Sequence, residues 1–104
     1  MGKYTGIAST SDIPEGKLKV YEIDYHRILI AHTSNGFHAV ADECTHDRVS
    51  LGEGCIHDDE IVCPAHGARF NLRTGAVVAP PAVVPLDTIE LKIEGDEIFV
   101  LLEE

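Results

Sequence analysis

The sequence CTHDRVSLGEGCIHDDEIVCPAHGARF, residues 44–70, contains two short pairs of metal-ligating side chains. Cys44 and His46 form the first pair, Cys63 and His66 form the second, and 16 residues separate the two pairs. Each pair offers one thiolate and one imidazole, so the four side chains together provide two sulfur and two nitrogen ligands. This pattern predicts one metal centre held by two segments of the chain.

Two kinds of metal centre suit such a ligand set. A [2Fe–2S] cluster can place Cys44 and Cys63 on one iron and His46 and His66 on the other, and its chemistry is one-electron transfer. A structural Zn²⁺ ion also accepts two sulfur and two nitrogen ligands, but zinc sites usually pair Cys with Cys and His with His. Because each pair is mixed in this chain, the spacing favours the cluster and leaves zinc as the alternative.

The motif and its flanks resemble those of the Rieske-type ferredoxins of bacterial ring-hydroxylating dioxygenase systems. The Rieske [2Fe–2S] motif is C-x-H followed by C-x2-H. In this chain the second pair continues as CPAHGARFNLRTG, residues 63–75, and Pro80-Pro81 follows. The similarity is densest over residues 42–82 and extends, as strand-like patterns, to both sides.

The resemblance implies a low-potential electron carrier with one [2Fe–2S] cluster per chain. Such a carrier passes single electrons from a flavin-dependent ferredoxin reductase to a terminal, ring-hydroxylating oxygenase in transient encounters. It is not an enzyme, because a Rieske oxygenase adds a large mononuclear iron domain for which 104 residues leave no room. The alternative is a small Rieske electron-entry subunit of a larger reductase such as nitrite reductase.

Four positions depart from the high-potential members of the family. Those members carry an additional disulfide, whose positions match Val49 and Ala65 in this chain. They also carry a Ser and a Tyr that donate hydrogen bonds to cluster sulfur atoms, at the positions of Ala68 and Phe70. Because such hydrogen bonds stabilise the more negative, reduced cluster, the resemblance implies a reduction potential at the low end of the Rieske range.

One cysteine and four histidines remain outside the proposed ligand set. Cys55 would break the two-plus-two pattern, so we expect a small buried apolar side chain, with an oxidation-prone thiol as the alternative. With two Cys committed to metal, no intrachain disulfide is expected, which suits a reducing cytoplasm. We expect solvated or hydrogen-bonded roles for the other histidines: His26, His32, His38 and His57.

The charge and hydropathy pattern limits the partners. A net charge of −10, from 18 acidic and 8 basic residues, opposes nucleic-acid binding and favours transient docking to basic patches on redox proteins. No apolar run is long enough to span a bilayer and no secretory signal is evident, so we expect a soluble, cytoplasmic monomer. Acidic residues near the motif either contribute to the docking face or serve only solubility: Asp42, Glu43, Asp47 and Glu53.

Strand-like segments recur at short intervals along the whole chain, without a sustained helical period. The predicted strands are 17–23, 28–32, 37–41, 55–57, 60–62, 69–71, 76–78, 90–94 and 98–101. The predicted turns are Asn35-Gly36, Asp58-Asp59, Thr74-Gly75 and Gly95-Asp96. Residues 9–16 are predicted to be a loop with one helical turn after Asp12.

These elements predict an all-β fold in a single domain, residues 1–104. The two chain ends form an antiparallel β-sandwich or open barrel as the base, and a cluster-binding subdomain of about residues 42–80 is inserted into it, as the Rieske resemblance implies. Gly67 and Gly75 are the positions where we expect a backbone conformation that a side chain would obstruct. In the family, the loop at Pro80-Pro81 covers the cluster.

Overall fold

The computed structural model describes residues 2–23, 26–42, 50–64, 67–80 and 84–102. In these ranges the chain consists of short β-strands and two short 3-10 turns, and no helix is long and apolar enough to cross a membrane. The 3-10 turns are Thr10–Asp12 and Leu51–Glu53. The strands are β1 (Lys3–Ser9), β2 (Leu18–Ile23), β3 (His26–Thr33), β4 (Gly36–Ala41), β5 (Cys55–His57), β6 (Glu60–Val62), β7 (Arg69–Asn71), β8 (Val77–Ala79), β9 (Thr88–Ile89), β10 (Leu91–Glu94) and β11 (Glu97–Leu102).

Across the described ranges, the strands form three antiparallel sheets. Their orders are β1-β11-β10, β2-β3-β4-β9 and β5-β6-β7-β8. The third sheet lies in sequence between β4 and β9, which pair directly with Ala39 opposite Ile89. The sheet β5-β6-β7-β8, called the inserted sheet below, is therefore an insertion in the sequence of the sheet β2-β3-β4-β9, called the central sheet. This confirms the predicted all-β fold with an inserted sheet, while the limits 1–104 and 42–80 stay predictions.

Strand β3 supplies apolar side chains to two cores on opposite faces of the central sheet. Residues Ile28, Leu29, Ile30 and Ala31 are all 0% exposed, as expected for a strand covered on both faces. The base core, which joins the central sheet to β11, consists of Ile13, Ile28, Ile30, Ala39, Ile98, Val100 and Leu102. The ligand-side core, which joins the central sheet to the inserted sheet, consists of Leu29, Ala31, Val40, Leu51, Ile61, Cys63, Ala68, Phe70, Leu72 and Leu86.

The structure differs from the sequence prediction at three elements near the base. Strand β1 was not predicted, and it pairs with β11 from Lys3 opposite Leu102 to Ser9 opposite Glu97. The two-residue strand β9 was not predicted either. The helical turn, Thr10–Asp12, ends at Asp12 instead of following it, and the Asp12 carboxylate accepts a hydrogen bond from the N–H of Ser9 at 2.9 Å.

A polar contact ties the tip of the β3–β4 hairpin to the β5–β6 turn. The Asn35 side-chain amide donates to the Asp59 carboxylate at 2.5 Å. Asp59 also accepts, through its backbone oxygen, a hydrogen bond from the N–H of Leu72 at 2.7 Å. Hydrogen bonding from the Thr33 hydroxyl, and after it from Asn35, lowers the pKa of the Asp59 carboxyl. The inserted sheet is thus joined to the central sheet at its turn as well as through the ligand-side core.

Candidate metal centre

The two ligand pairs flank β5 and β6 of the inserted sheet. The first pair follows β4, in the segment between Asp42 and Ser50. Cys63 follows β6 directly and is within the described residues. The other three predicted ligands, Cys44, His46 and His66, lie outside those residues. Outside them also lie Glu43, Asp47, Val49, Ala65 and Pro81, for which expectations were stated above.

Cys63 begins the second ligand loop, residues 63–68, and its side chain lies in the ligand-side core, where the residue is 1% exposed. Its N–H donates to the carbonyl of Ala68 at 2.7 Å, and its own carbonyl accepts from the N–H of Gly67 at 3.1 Å. These two bonds close the loop at its base. Two further residues of this loop, Pro64 and Gly67, are exposed. A buried thiol therefore lies beneath a loop that reaches solvent.

Gly67 allows the tight return of this loop. Its φ is +75°, in the left-handed region that glycine adopts without steric cost. The prediction that Gly67 has a backbone conformation unsuited to a side chain is confirmed.

Gly75 contacts the backbone of Leu86, in the segment that follows the proline-bearing loop. Its φ is +80°, and a Cβ atom at this position would lie 2.3 Å from the backbone oxygen of Leu86. The N–H of Leu86 donates to the carbonyl of Gly75 at 2.8 Å, and Leu86 is part of the ligand-side core. The prediction for Gly75 is therefore also confirmed, and the cause is a close backbone approach in addition to turn geometry.

Ala68 and Phe70 are both 0% exposed in the ligand-side core that contains Cys63. Neither side chain carries a hydrogen-bond donor. The two positions that we expect to lower the reduction potential therefore lie in the same buried core as Cys63, one of the predicted ligands.

Asp42 differs from its predicted role on an acidic docking face. The residue is 4% exposed, and its carboxylate accepts hydrogen bonds from Arg27, Ser50 and the N–H of Gly52. Asp42 in turn raises the pKa of the Arg27 guanidinium, mainly through their hydrogen bond. A carboxylate that is buried and fully engaged cannot serve as a docking surface, whereas Glu53 is exposed.

Sequence reasoning missed this carboxylate, although a signal for it exists. The β3–β4 pairing runs from Thr33 opposite Gly36 to Ile28 opposite Ala41. One step further along the same register brings Arg27 beside Asp42, so the hairpin alignment would have predicted a cross-strand ion pair.

The expectation of a buried Cys55 is wrong. Cys55 is exposed, because it lies with His57 on the solvent side of β5 while Ile56 between them is half-buried and packs on the ligand-side core. The period of two along a strand puts residues 55 and 57 on the same face. Of the two alternatives for this thiol, the accessible one is the one that the structure supports.

The expectations for the four remaining histidines are confirmed. His26 and His57 are exposed. The Nδ1 atom of His32 is 2.7 Å from the carbonyl of Ile13, and its ring stacks on Phe37 with 3.9 Å between centroids. His38 is partly buried, which lowers the pKa of its imidazole, and its Nε2 is 3.3 Å from the Thr33 hydroxyl.

The residues present fit an iron–sulfur cluster. Cysteine binds metal as a thiolate, and a bound metal would supply the positive charge that compensates it in the apolar core around Cys63. Within the described ranges, no group of three or more His, Cys, Asp or Glu side chains could hold another metal ion. The surroundings of Cys63 therefore agree with the donor chemistry of the motif.

Loops of an inserted β-sheet that present paired thiolate and imidazole ligands are typical of an iron–sulfur electron carrier. The chain belongs to the Rieske [2Fe–2S] domain family, whose model matches residues 3–90. Membership confirms the predicted fold and the predicted cofactor, one [2Fe–2S] cluster, and sets the zinc alternative aside.

Known proteins are similar over nearly the whole chain. The ferredoxin component of biphenyl 2,3-dioxygenase from Rhodococcus jostii (strain RHA1) is 39% identical over 99 residues, which cover 95% of this chain and 92% of the relative. One chain in the solved complex of reduced oxygenase and oxidised ferredoxin of carbazole 1,9a-dioxygenase is 31% identical, with a TM-score of 0.87, over 93% of this chain and 91% of that chain.

A third similarity concerns the fold alone. A Mycobacterium tuberculosis protein provisionally assigned as the small subunit of NADH-dependent nitrite reductase has a TM-score of 0.86 at 15% identity, over 100% of this chain and 98% of that chain. The relatives that are 38% to 39% identical are ferredoxin components or ferredoxin subunits of dioxygenases. The chain is accordingly an electron-transfer protein and not a catalytic enzyme, as predicted.

Proposed function

We propose that this chain is the ferredoxin of a ring-hydroxylating oxygenase system. It receives single electrons from a flavin-dependent reductase and delivers them to a terminal oxygenase in transient encounters, as a cytoplasmic monomer formed by one domain, residues 1–104. The observation that carries the proposal is the 39% identity, over 95% of this chain, to a ferredoxin component of a dioxygenase. The carbazole dioxygenase complex supports an oxygenase as the partner, because it joins a similar chain to an oxygenase.

We further propose Cys44, His46, Cys63 and His66 as the ligands of the cluster, in a subdomain of about residues 42–80. When bound, the cluster gains and loses one electron. Cys63 would contribute a thiolate. Its side chain lies in an apolar core, and two hydrogen bonds of its backbone fix the loop that follows it. Rigid placement of this kind orients a ligand before the metal binds.

A reconstituted electron-transfer chain tests the proposed function. Reductase, NADH and terminal oxygenase of a biphenyl-type system are mixed anaerobically with and without this protein, and reduction of the oxygenase is followed by its absorbance. The proposal expects fast reduction only with the loaded protein and none with its Cys63→Ser variant. Equal reduction of the oxygenase without the protein would overturn it. Permanent co-elution with a large reductase during gel filtration of a native extract would instead favour the electron-entry subunit.

The acidic balance predicts a salt dependence for this transfer. With a net charge of −10, association with a basic partner face is steered by long-range attraction. We expect the second-order rate of oxygenase reduction to fall about tenfold between low and high ionic strength, since salt screens such attraction. A stopped-flow series in NaCl measures it, and a flat profile would show that the charge has no part in docking.

The reduction potential is predicted to lie near the low end of the Rieske range, at about −150 mV. Ala68 and Phe70 offer no donors to the cluster sulfur atoms, so the extra negative charge of the reduced state lacks that stabilisation. Protein-film voltammetry measures the midpoint. A value well above zero would contradict the prediction.

A further inference from the structure

Next to the segment that contains the first ligand pair, the Asp42 carboxylate accepts three hydrogen bonds from described residues. Its side chain is 0% exposed. Oδ2 accepts from the Arg27 guanidinium at 3.0 Å and from the Ser50 hydroxyl at 2.7 Å, while Oδ1 accepts from the N–H of Gly52 at 2.9 Å. Three donors, one of them charged, offset the cost of burying this carboxylate.

The Asp42 carboxylate and two of its donors lie on opposite sides of one loop. Asp42 immediately precedes residues 43–49, which contain Cys44 and His46, and Ser50 and Gly52 follow them. One carboxylate therefore closes the loop at its base. The N–H of Asp42 also donates to the carbonyl of Arg27 at 3.0 Å, so the closing residue is fixed to the β3–β4 hairpin.

The same contacts connect the first ligand loop to the second. Ser50 precedes the 3-10 turn Leu51–Glu53, and its hydroxyl oxygen accepts a hydrogen bond from the N–H of Gly52 at 3.1 Å. This turn places Leu51, 0% exposed, in the ligand-side core together with Cys63. The turn is packed tightly, since a Cβ atom on Gly52 would lie 2.4 Å from a methyl carbon of Val20.

We propose that Asp42 is a positioning residue for the cluster: it holds the first ligand loop closed, so that Cys44 and His46 are presented to the metal together with the second loop. The proposal rests on the ligand assignment made above. Closing a loop costs conformational entropy. If the protein has already closed the loop before the cluster binds, this cost does not reduce the free energy of cluster binding. Arg27 serves Asp42 by supplying the charged donor, whereas its second contact, to Glu22 at 3.4 Å, joins two exposed side chains and contributes little.

The test compares Asp42→Asn with Asp59→Asn in the loaded protein. Both variants neutralise a hydrogen-bonded carboxylate in this fold, but Asp59 lies in the β5–β6 turn and does not bridge the first ligand loop. Cluster release into excess chelator is followed by the loss of visible absorbance, and the unfolding temperature by circular dichroism. We expect Asp42→Asn to release its cluster about tenfold faster than wild type, and Asp59→Asn within about twofold of wild type. The EPR signal of reduced Asp42→Asn should also be shifted or broadened.

Two further variants keep the outcome decisive. Ser50→Ala removes one donor and leaves the Arg27 ion pair, so an intermediate release rate is expected even if Asp42→Asn does not fold. Wild-type release and an unchanged EPR signal in Asp42→Asn, or in Ser50→Ala where the former does not fold, would overturn the proposal. Equal release by Asp42→Asn and Asp59→Asn would also overturn it. A Cys44→Ser variant that retains the complete cluster would refute the ligand assignment itself, whatever the Asp42 variants show.

Discussion

Replacing Cys63 by serine is expected to abolish cluster binding, leaving neither iron nor acid-labile sulfide in the purified protein. The proposed ligand is the thiolate, and the serine hydroxyl does not ionise in an apolar pocket. Serine is close to cysteine in size, and the backbone bonds to Ala68 and Gly67 do not involve the side chain. Loss of the cluster should therefore follow from the lost ligand, and circular dichroism should still show a β-rich chain.

Cys55→Ser is the matched control for this substitution. Cys55 is the other cysteine within the described residues, and it is exposed on β5 instead of buried in the ligand-side core. We expect this variant to contain the full complement of iron and sulfide and to show a wild-type visible spectrum. A loaded Cys63→Ser protein, or a colourless Cys55→Ser protein, would contradict the proposed ligands.

Gly75→Ala is expected to lower the apparent unfolding temperature of the loaded protein by roughly 12 °C. The left-handed φ costs a side chain about 1 kcal/mol, and a Cβ atom 2.3 Å from the Leu86 carbonyl oxygen forces the two backbones apart, for about 2 kcal/mol more. A domain of this size loses about 4 °C per kcal/mol. Because the displaced Leu86 belongs to the ligand-side core, cluster absorbance should be lost over the same temperature range.

Gly95→Ala separates the two costs. Gly95, in the β10–β11 turn, has a φ of +60° and no atom within 4 Å of its would-be Cβ, so it carries the conformational cost alone. We expect a decrease of roughly 4 °C for this variant. Equal decreases in the two variants would show that the approach of Leu86 to Gly75 has no energetic consequence.

Strands whose partners lie nearby in sequence could be predicted, and strands with distant partners could not. β5, β6 and β7 have the predicted limits, because each pairs with a strand that is close to it in sequence. β1 contains Gly6 and polar residues and lacks a clear alternation. It forms because β11, at the other end of the chain, offers its edge, with a register shift between Gly6 and Ala8. Such pairing depends on tertiary structure and leaves little local signal.

The same distinction applies to the candidate site. The backbone conformations of Gly67 and Gly75 could be predicted from residue type and position. The burial of Asp42 could not be identified from its position beside the motif, because it depends on donors from β3 and from beyond the ligand loop. The exposure of Cys55 follows from the alternation of side chains along β5. The prediction of a buried Cys55 relied instead on the general preference of free cysteine for buried positions.

Pulsed EPR of the dithionite-reduced protein tests the ligand set most directly. We expect a paramagnetic [2Fe–2S] signal with hyperfine couplings from two directly bound imidazole nitrogens, one of which disappears in His46→Cys and one in His66→Cys if those clusters assemble. A reduced cluster without any nitrogen coupling, or a purified protein without an EPR signal, would contradict it.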